Sequence, residues 1–503
     1  MKNKSVAIIG GGLGGLFTGA ILAKEGFSVT VLEKNSTIGG GLQSFKRFGE
    51  SFDTGMHVIG GLQEGGNIRK LCQYLGIFQD IEIKDVDNLC SNKLYFEEDH
   101  STYTIPSGKD AFIKYLSSRF PEESENLNRY VNEIYDITNS IDLFNLRPSS
   151  SYINIYPEHF TISADSFIAQ YIKNKKLRSV LAYMNPLYGG RENETPAYVH
   201  AIINVLYING TSRFVGGSYK FANLLANLII ENGGQIKVNE KVEWIEVNNR
   251  QVEFIRTIKG NIYLADYYIS DIHPCSLLNI LPNDAFPKSY RNRLNEIPNS
   301  YSAFSLYIKL KKNSFEYLNH SEFYMGKYDN IWKCGNADDD VWPKGFLLMT
   351  PPSAQQEKYA KTALVTAPMP FEYVRKWEST HVGNRGEDYE QWKLLRVHDI
   401  LDIIEKMHPG FNSCVEDINS SSPLTIRDFY GVKEGALSGF SKDWKNLALS
   451  QVPVITKISN LFLTGQNNNL HGFCGVPLTS INTCEAILGK NYIINKINEC
   501  VSD

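Results

Sequence analysis

The stretch SVAIIGGGLGGLFTGAILAKEGFSVTVLEK, Ser5 to Lys34, permits few folds. Val6 to Ile9 is a short apolar run suited to a fully buried parallel strand. Gly10, Gly12 and Gly15 then satisfy G-x-G-x-x-G, which allows a tight turn, close approach to a diphosphate and tight helix–strand packing in that order. A helix is predicted from Gly14 to Lys24, closed by Gly26, with its N-terminal N–H groups aimed at phosphates. Val29 to Leu32 is the second strand. Glu33 ends it eighteen residues after Gly15, where a carboxylate accepts from ribose hydroxyls and repels a 2′-phosphate. The same apolar run, Val6 to Ala23, is uncharged enough to suggest a signal peptide or membrane anchor. Six of its eighteen residues are glycine, clustered before Leu16, which serves a strand–turn–helix unit and not a lipid-crossing helix.

The residues after Glu33 distinguish FAD from NAD. Lys34 leads through EKNSTIGGGLQSF into a second glycine group, Gly39, Gly40 and Gly41. An NAD domain proceeds from the ribose acid into another helix, whereas a glutathione-reductase-type FAD domain brings a glycine pair back over the phosphates and ribityl chain. The pattern favours FAD.

At 503 residues the chain exceeds one ordinary core and implies two or three units. A net charge of −4 without a basic run argues against a nucleic-acid partner. The eight cysteines are scattered with no C-x-x-C pair, which argues against a metal site or disulfide framework and fits a reducing, cytoplasmic setting. With 28 Tyr and 26 Phe there is aromatic surface enough to line a large apolar cavity, although ordinary cores use the same residues.

VLEKNSTIGGG, then FDTGMHVIGG, resembles the retinol saturase and carotenoid isomerase branch of the phytoene desaturase-like flavoproteins. Bacterial phytoene desaturases usually carry arginine where this chain has Gly41, and a D-x-G-P pattern where it has Asp53, Gly55, Met56 and His57. Retinol saturases resemble it in having a histidine at the place of His57. Ser212–Ile236, Ser422–Gly431 (SPLTIRDFYG) and Leu461–Gly489 (LFLTGQNNNLHGFCGVPLTSINTCEAILG) match the same branch in the expected order. A departure falls at Arg213 and Phe214, where relatives commonly have aromatic and proline residues.

The resemblance implies an α/β chain: a discontinuous, glutathione-reductase-type Rossmann-like FAD domain (1–105, 210–280 and 425–503) with an inserted mixed-sheet α+β substrate domain (106–209 and 281–424). Strands are expected through residues 237–271, with turns at Asn248-Asn249 and Gly260-Asn261. Leu127, Val131, Ile134 and Thr138, with Tyr130 and Ile137, mark a helical stripe that serves either as core or as a membrane-dipping face. The implied cofactor residues are Gly10, Gly12, Gly14, Gly15, Glu33, Lys34, Gly40, Gly41, His57, Val242, Gly465, Gln466, Val476 and Pro477. Acid–base candidates are His57, Tyr188 and Arg427, with Arg191, His200 and His471 beside them; Arg427 and Asp428 equally suit a structural ion pair. His471 reads as a ring contact before a catalyst, and His200 as a core histidine. No metal is expected. The implied activity is hydride transfer at flavin N5 to or from a carbon–carbon double bond of an apolar isoprenoid or polyene, as saturation, desaturation or isomerisation. A flavin amine oxidase and a non-enzymatic prenyl-binding escort protein of the same fold are the alternatives. Peripheral membrane contact is compatible with such a substrate, and the oligomeric state is open.

Overall fold

A computed structural model describes residues 4–55, 58–149, 161–337, 341–353 and 358–502. His57 and Met56 lie outside the described residues. The glycine-rich unit forms as expected: strand Ser5–Ile9, helix Leu13–Lys24 and strand Ser28–Leu32. These two strands sit in a five-stranded parallel sheet with Gln235–Lys237, Tyr267–Ser270 and Leu461–Leu463. Strand Ser5–Ile9 lies at its centre, flanked by Ser28–Leu32 and Tyr267–Ser270. One layer is thus drawn from three distant parts of the chain, which is the discontinuity expected. Helix Leu13–Lys24 is buried along nearly its whole length because it is sandwiched between helices Tyr219–Glu231 and Gly472–Leu488. Thr18 Oγ1 meets Thr464 Oγ1 at 3.0 Å on that buried face.

An antiparallel three-stranded sheet is built from Val242–Asn248, Gln251–Thr257 and Ile262–Tyr263. Its first turn is one residue later than expected. Asn249 and Arg250 occupy it with φ of 49° and 59°, the left-handed pair that matches strand twist in a two-residue hairpin.

The second large layer is a seven-stranded mixed sheet in the order Val415–Ser421, Ser302–Leu310, Thr362–Met369, Gly345–Met349, Ser321–Met325, Asn92–Phe96 and Ser101–Ile105. Helix Glu387–Met407 packs on one face through Val397, Ile400 and Ile404. This corrects the expected boundary at residue 105. Asn92–Phe96 pairs in parallel with Ser321–Met325, so the chain leaves the nucleotide layer before Asn92. Helix Ser124–Asn139 buries Leu127, Tyr130, Val131, Ile134, Ile137 and Thr138, so the stripe is core and offers no membrane face. Among the described residues no helix is long and apolar enough to cross a membrane.

Candidate functional site

Gly10 turns the chain at φ +105° directly after the central strand. Its neighbours are packed so closely that side chains are excluded. A Cβ on Gly14 would lie 2.8 Å from the Cα of Gly465, and one on Gly15 would overlap the Gly10 carbonyl oxygen. The first contact brings the N- and C-terminal motifs together, and the second seats the helix on the strand. The second glycine group folds back onto the first: Gly39 N–H donates to the Gly11 carbonyl at 2.7 Å, and Gly12 and Gly39 form a parallel bridge. Glu33, buried at the strand end, accepts from Gly11 N–H through Oε2 at 2.9 Å and from Asn35 N–H through Oε1 at 2.8 Å. Both oxygens are thereby fixed in direction, and each keeps lone-pair capacity for a ribose hydroxyl.

These groups open onto a cavity of about 650 Å³. Gly10, Gly12, Gly14, Glu33, Lys34, Gly40, Gly41, Val242, Gly465, Gln466 and Val476 line one end. Phe144, Val199, Ile202, Leu206, Phe323 and Leu347 line the other, with Asn92, Ser305 and Ser321 as polar points on the strand floor. Its volume falls within the roughly 300–1,000 Å³ of small-molecule sites. The N-terminal turns of helix Gly472–Leu488 contribute Gly472, Phe473, Cys474, Gly475 and Val476, and bring the positive end of that helix to the cavity. The glycine cradle, the oriented carboxylate and this helix end fit a dinucleotide.

Among the described residues, His273 and His471 face the cavity. His273 accepts Cys275 N–H at Nδ1, which leaves Nε2–H to donate to Asn299 Oδ1 at 3.1 Å and fixes one neutral tautomer. Burial pushes it down to about 4. His471 stands at the start of helix Gly472–Leu488, and its buried Nε2 has no protein partner among the described residues. Burial, with Lys442 nearby, pushes it down to about 3. Lys442 is itself buried, donates to the Ser450 carbonyl at 2.9 Å, and is lowered to about 8 by burial.

A profile for the NAD(P)-binding Rossmann-like domain matches residues 8–75. An all-trans-retinol 13,14-reductase of Danio rerio is 25% identical, over 97% of this chain and 87% of the relative. A 4,4′-diapophytoene desaturase of Staphylococcus haemolyticus is 24% identical, over 96% of this chain and 98% of the relative. The chain is thus similar over nearly its whole length to retinol reductases and diapophytoene desaturases, which supports the retinol saturase and phytoene desaturase-like family. It is an oxidoreductase. A solved oxidoreductase from Methanosarcina mazei shares the fold of this desaturase-like chain, with a TM-score of 0.66 at 16% identity over 96% of this chain and 100% of that one.

Two acid–base candidates, Tyr188 and Arg427, do not line this cavity. Tyr188 is buried, with its hydroxyl 3.1 Å from His200 Nδ1, while Tyr130 approaches His200 Nε2 at 2.6 Å. That Tyr–His–Tyr cluster lies in the core behind the wall, and burial pushes His200 down to about 3. Arg427 pairs with Asp428 at 2.8 Å and donates to the Glu378 carbonyl at 2.7 Å. Asp428 is held again by Arg385 at 2.5 Å, so this cluster clamps the helix Pro423–Tyr430. Pro477 and Gly15 also stand behind the lining, each one position past a lining residue of its helix.

Four residues at or beside the site were not singled out in the sequence. Asp271 comes directly after the strand Tyr267–Ser270 and faces the glycine cradle; its place after an apolar Rossmann strand was the available signal. His273 and Lys442 carried no pattern, and Tyr430 lies in the stretch Ser422–Gly431, where Arg427 and Asp428 drew the attention. Arg213, noticed only as a departure, is 1% exposed. It donates to the Leu318 and Thr350 carbonyls at 3.0 Å each and to Ser321 Oγ at 3.2 Å. No carboxylate pairs with it among the described residues.

Proposed function

We propose that the chain is an FAD-dependent oxidoreductase acting on carbon–carbon double bonds of an apolar isoprenoid or polyene. The observation that carries this reading is the continuity of one cavity from the glycine cradle to the apolar chamber. A cofactor held at one end meets a long hydrocarbon held at the other without leaving the protein interior. Relatives named for retinol and for diapophytoene support the substrate class.

FAD supplies hydride transfer at its N5 when bound. The chain's residues do the rest. Gly12, Gly14 and Gly465 bring backbone to the diphosphate, Glu33 accepts from the ribose, and Val242 lies on the adenine side. Gln466 offers an amide to the ribityl chain. The N-terminus of helix Gly472–Leu488 favours negative charge on the reduced ring. Val199, Ile202 and Leu206, one face of helix Ala197–Ile208, orient the substrate chain and exclude water. Asn92 and Ser321 suit a polar substrate end. At the cavity, Tyr207 and Tyr430 keep their protons, because burial pushes both hydroxyls far above the ordinary tyrosine range. His471 offers a neutral ring nitrogen to the cofactor or substrate. His57 remains the family-specific candidate for a proton-bearing group.

The test is direct. The purified protein is expected to be yellow and, with reduced flavin under anaerobic conditions, to change the absorbance of a polyene. Peroxide release with amines in air would favour the amine oxidase, and a colourless protein that binds prenyl chains would favour the escort reading. Saturation and desaturation are separated by whether reduced or oxidised flavin is consumed.

A further inference from the structure

Asp271 stands where the two phosphate-binding segments converge. A Cβ built on Gly12 would lie 2.7 Å from its Oδ2, one on Gly465 would lie 2.5 Å from its Oδ1, and one on Gly14 would collide with that same Oδ1. The carboxyl therefore occupies the seam between the N-terminal glycine turn and the C-terminal Gly465 segment. The backbone of Gly15 and Gly12, at the positive end of helix Leu13–Lys24, favours its charged form. No ammonium or guanidinium neutralises it: no salt bridge involves Asp271 among the described residues. Its charged neighbour is Glu33, another acid. The remaining titratable groups around this end are Lys34, Glu240 and Lys241 across the cavity and His273 on its own segment. The first turn of the helix carries no acid, and the segment Thr464–Gln466 carries no titratable side chain.

A dinucleotide brings a diphosphate, with about one negative charge on each phosphate, to this same seam. Three unpaired negative groups, with Glu33 close by, cannot share a dry site cheaply. Like charges at short range disfavour joint ionisation, and a buried carboxyl gives way by taking a proton. We propose that Asp271 is a binding residue of the diphosphate site, and that FAD binds together with one proton taken from solvent onto this carboxyl. The proton turns an electrostatic obstacle into a neutral acid that keeps an acceptor oxygen for the glycine N–H groups and gains an O–H donor. Burial already pushes the carboxyl up to about 7, in the direction the proposal needs. This inference rests on the flavin reading above and adds to it a residue and a proton.

The experiment is calorimetric titration of flavin-stripped protein with FAD at about pH 8, in two buffers of different ionisation enthalpy, so that bound protons are counted. The wild type is expected to take up close to one proton, and its Kd to rise above about pH 7 by up to roughly tenfold per pH unit. Asp271→Asn, which keeps an acceptor but cannot titrate, is expected to bind FAD at least as tightly at high pH, with no proton uptake and a flat pH profile. The wild-type measurement stands without the variant. FAD binding by the wild type with no proton uptake overturns the proposal alone, as does undiminished uptake by Asp271→Asn. Failure of both proteins to bind FAD overturns the flavin reading and the proposal with it.

Discussion

The Tyr430 hydroxyl donates to Thr54 Oγ1 at 3.0 Å, joining segments 376 residues apart. Thr54 and Gly55 come just before His57 in the sequence, and Tyr430 ends the helix Pro423–Tyr430. Two stretches that carry the family resemblance thus meet as neighbours on the cavity wall. A Cβ on Gly55 would lie 2.6 Å from the Tyr430 oxygen and 3.1 Å from the Gly41 carbonyl. Gly55→Ala is therefore expected to destabilise the protein by about 1–3 kcal/mol through overpacking. Adding Tyr430→Phe removes the clashing oxygen and should recover part of the loss. Melting temperatures of the two single variants and the double variant check this, and additive losses would contradict the contact.

Glu33→Ala is expected to weaken FAD binding by roughly 1.5–3 kcal/mol, the worth of a hydrogen bond to a charged acceptor. Part of that loss comes from releasing Gly11 N–H, so Glu33→Gln should lose less. Fluorescence titration with FAD measures both, and unchanged affinity in Glu33→Ala would remove it as the ribose acid.

Tyr188→Phe and Arg427→Met should spare turnover, keeping kcat within about twofold, because neither residue lines the cavity. Tyr188→Phe should instead cost about 1 kcal/mol of stability by leaving His200 short of a partner. His471→Ala should shift the visible spectrum of bound flavin. A His57→Ala enzyme with its flavin and full turnover would strike His57 from the catalytic candidates.

Acid should unfasten the substrate-side sheet. Burial alone would raise the Glu322 carboxyl, yet hydrogen bonds from His320 and His408, with Lys93 nearby, hold it well below its ordinary value of 4.5. A depressed carboxyl contributes stability above its unfolded pKa and loses it as pH falls toward the folded one. Stability should therefore drop as pH falls below about 4.5, and Glu322→Gln should show a shallower decline. Denaturant unfolding at a series of pH values tests the slope.

Much of the nucleotide half was legible because its chemistry is local. Gly10, Gly12, Gly15 and Glu33 lie within one strand–helix–strand unit, and spacing alone singles them out. The helix Ser124–Asn139 was legible for a similar reason, its apolar period being complete within one element. The strands Asn92–Phe96 and Ser101–Ile105 were misassigned because a strand's sheet is chosen by distant partners such as Ser321–Met325, which no local pattern announces. Tyr188 and Arg427 fall outside the cavity lining, which the sequence could not show, because a polar group in a family-like stretch looks the same whether it serves a core network or a cavity. Asp271 shows the converse: an ordinary acid acquires its meaning only when Gly14 and Gly465 close around it.

The edge strand Leu461–Leu463, which docks beside Tyr267–Ser270 and carries Gly465 to the cradle, sets a timetable for biosynthesis. A ribosome must translate nearly the whole chain before the cofactor seam has both of its sides. Until then strand Tyr267–Ser270 is left as an open parallel-sheet edge, a slow and aggregation-exposed condition. Loading of the proposed flavin should therefore be a late, post-translational event, and ample FAD in the expressing cell should raise the yield of folded protein by capturing the last strand as it arrives.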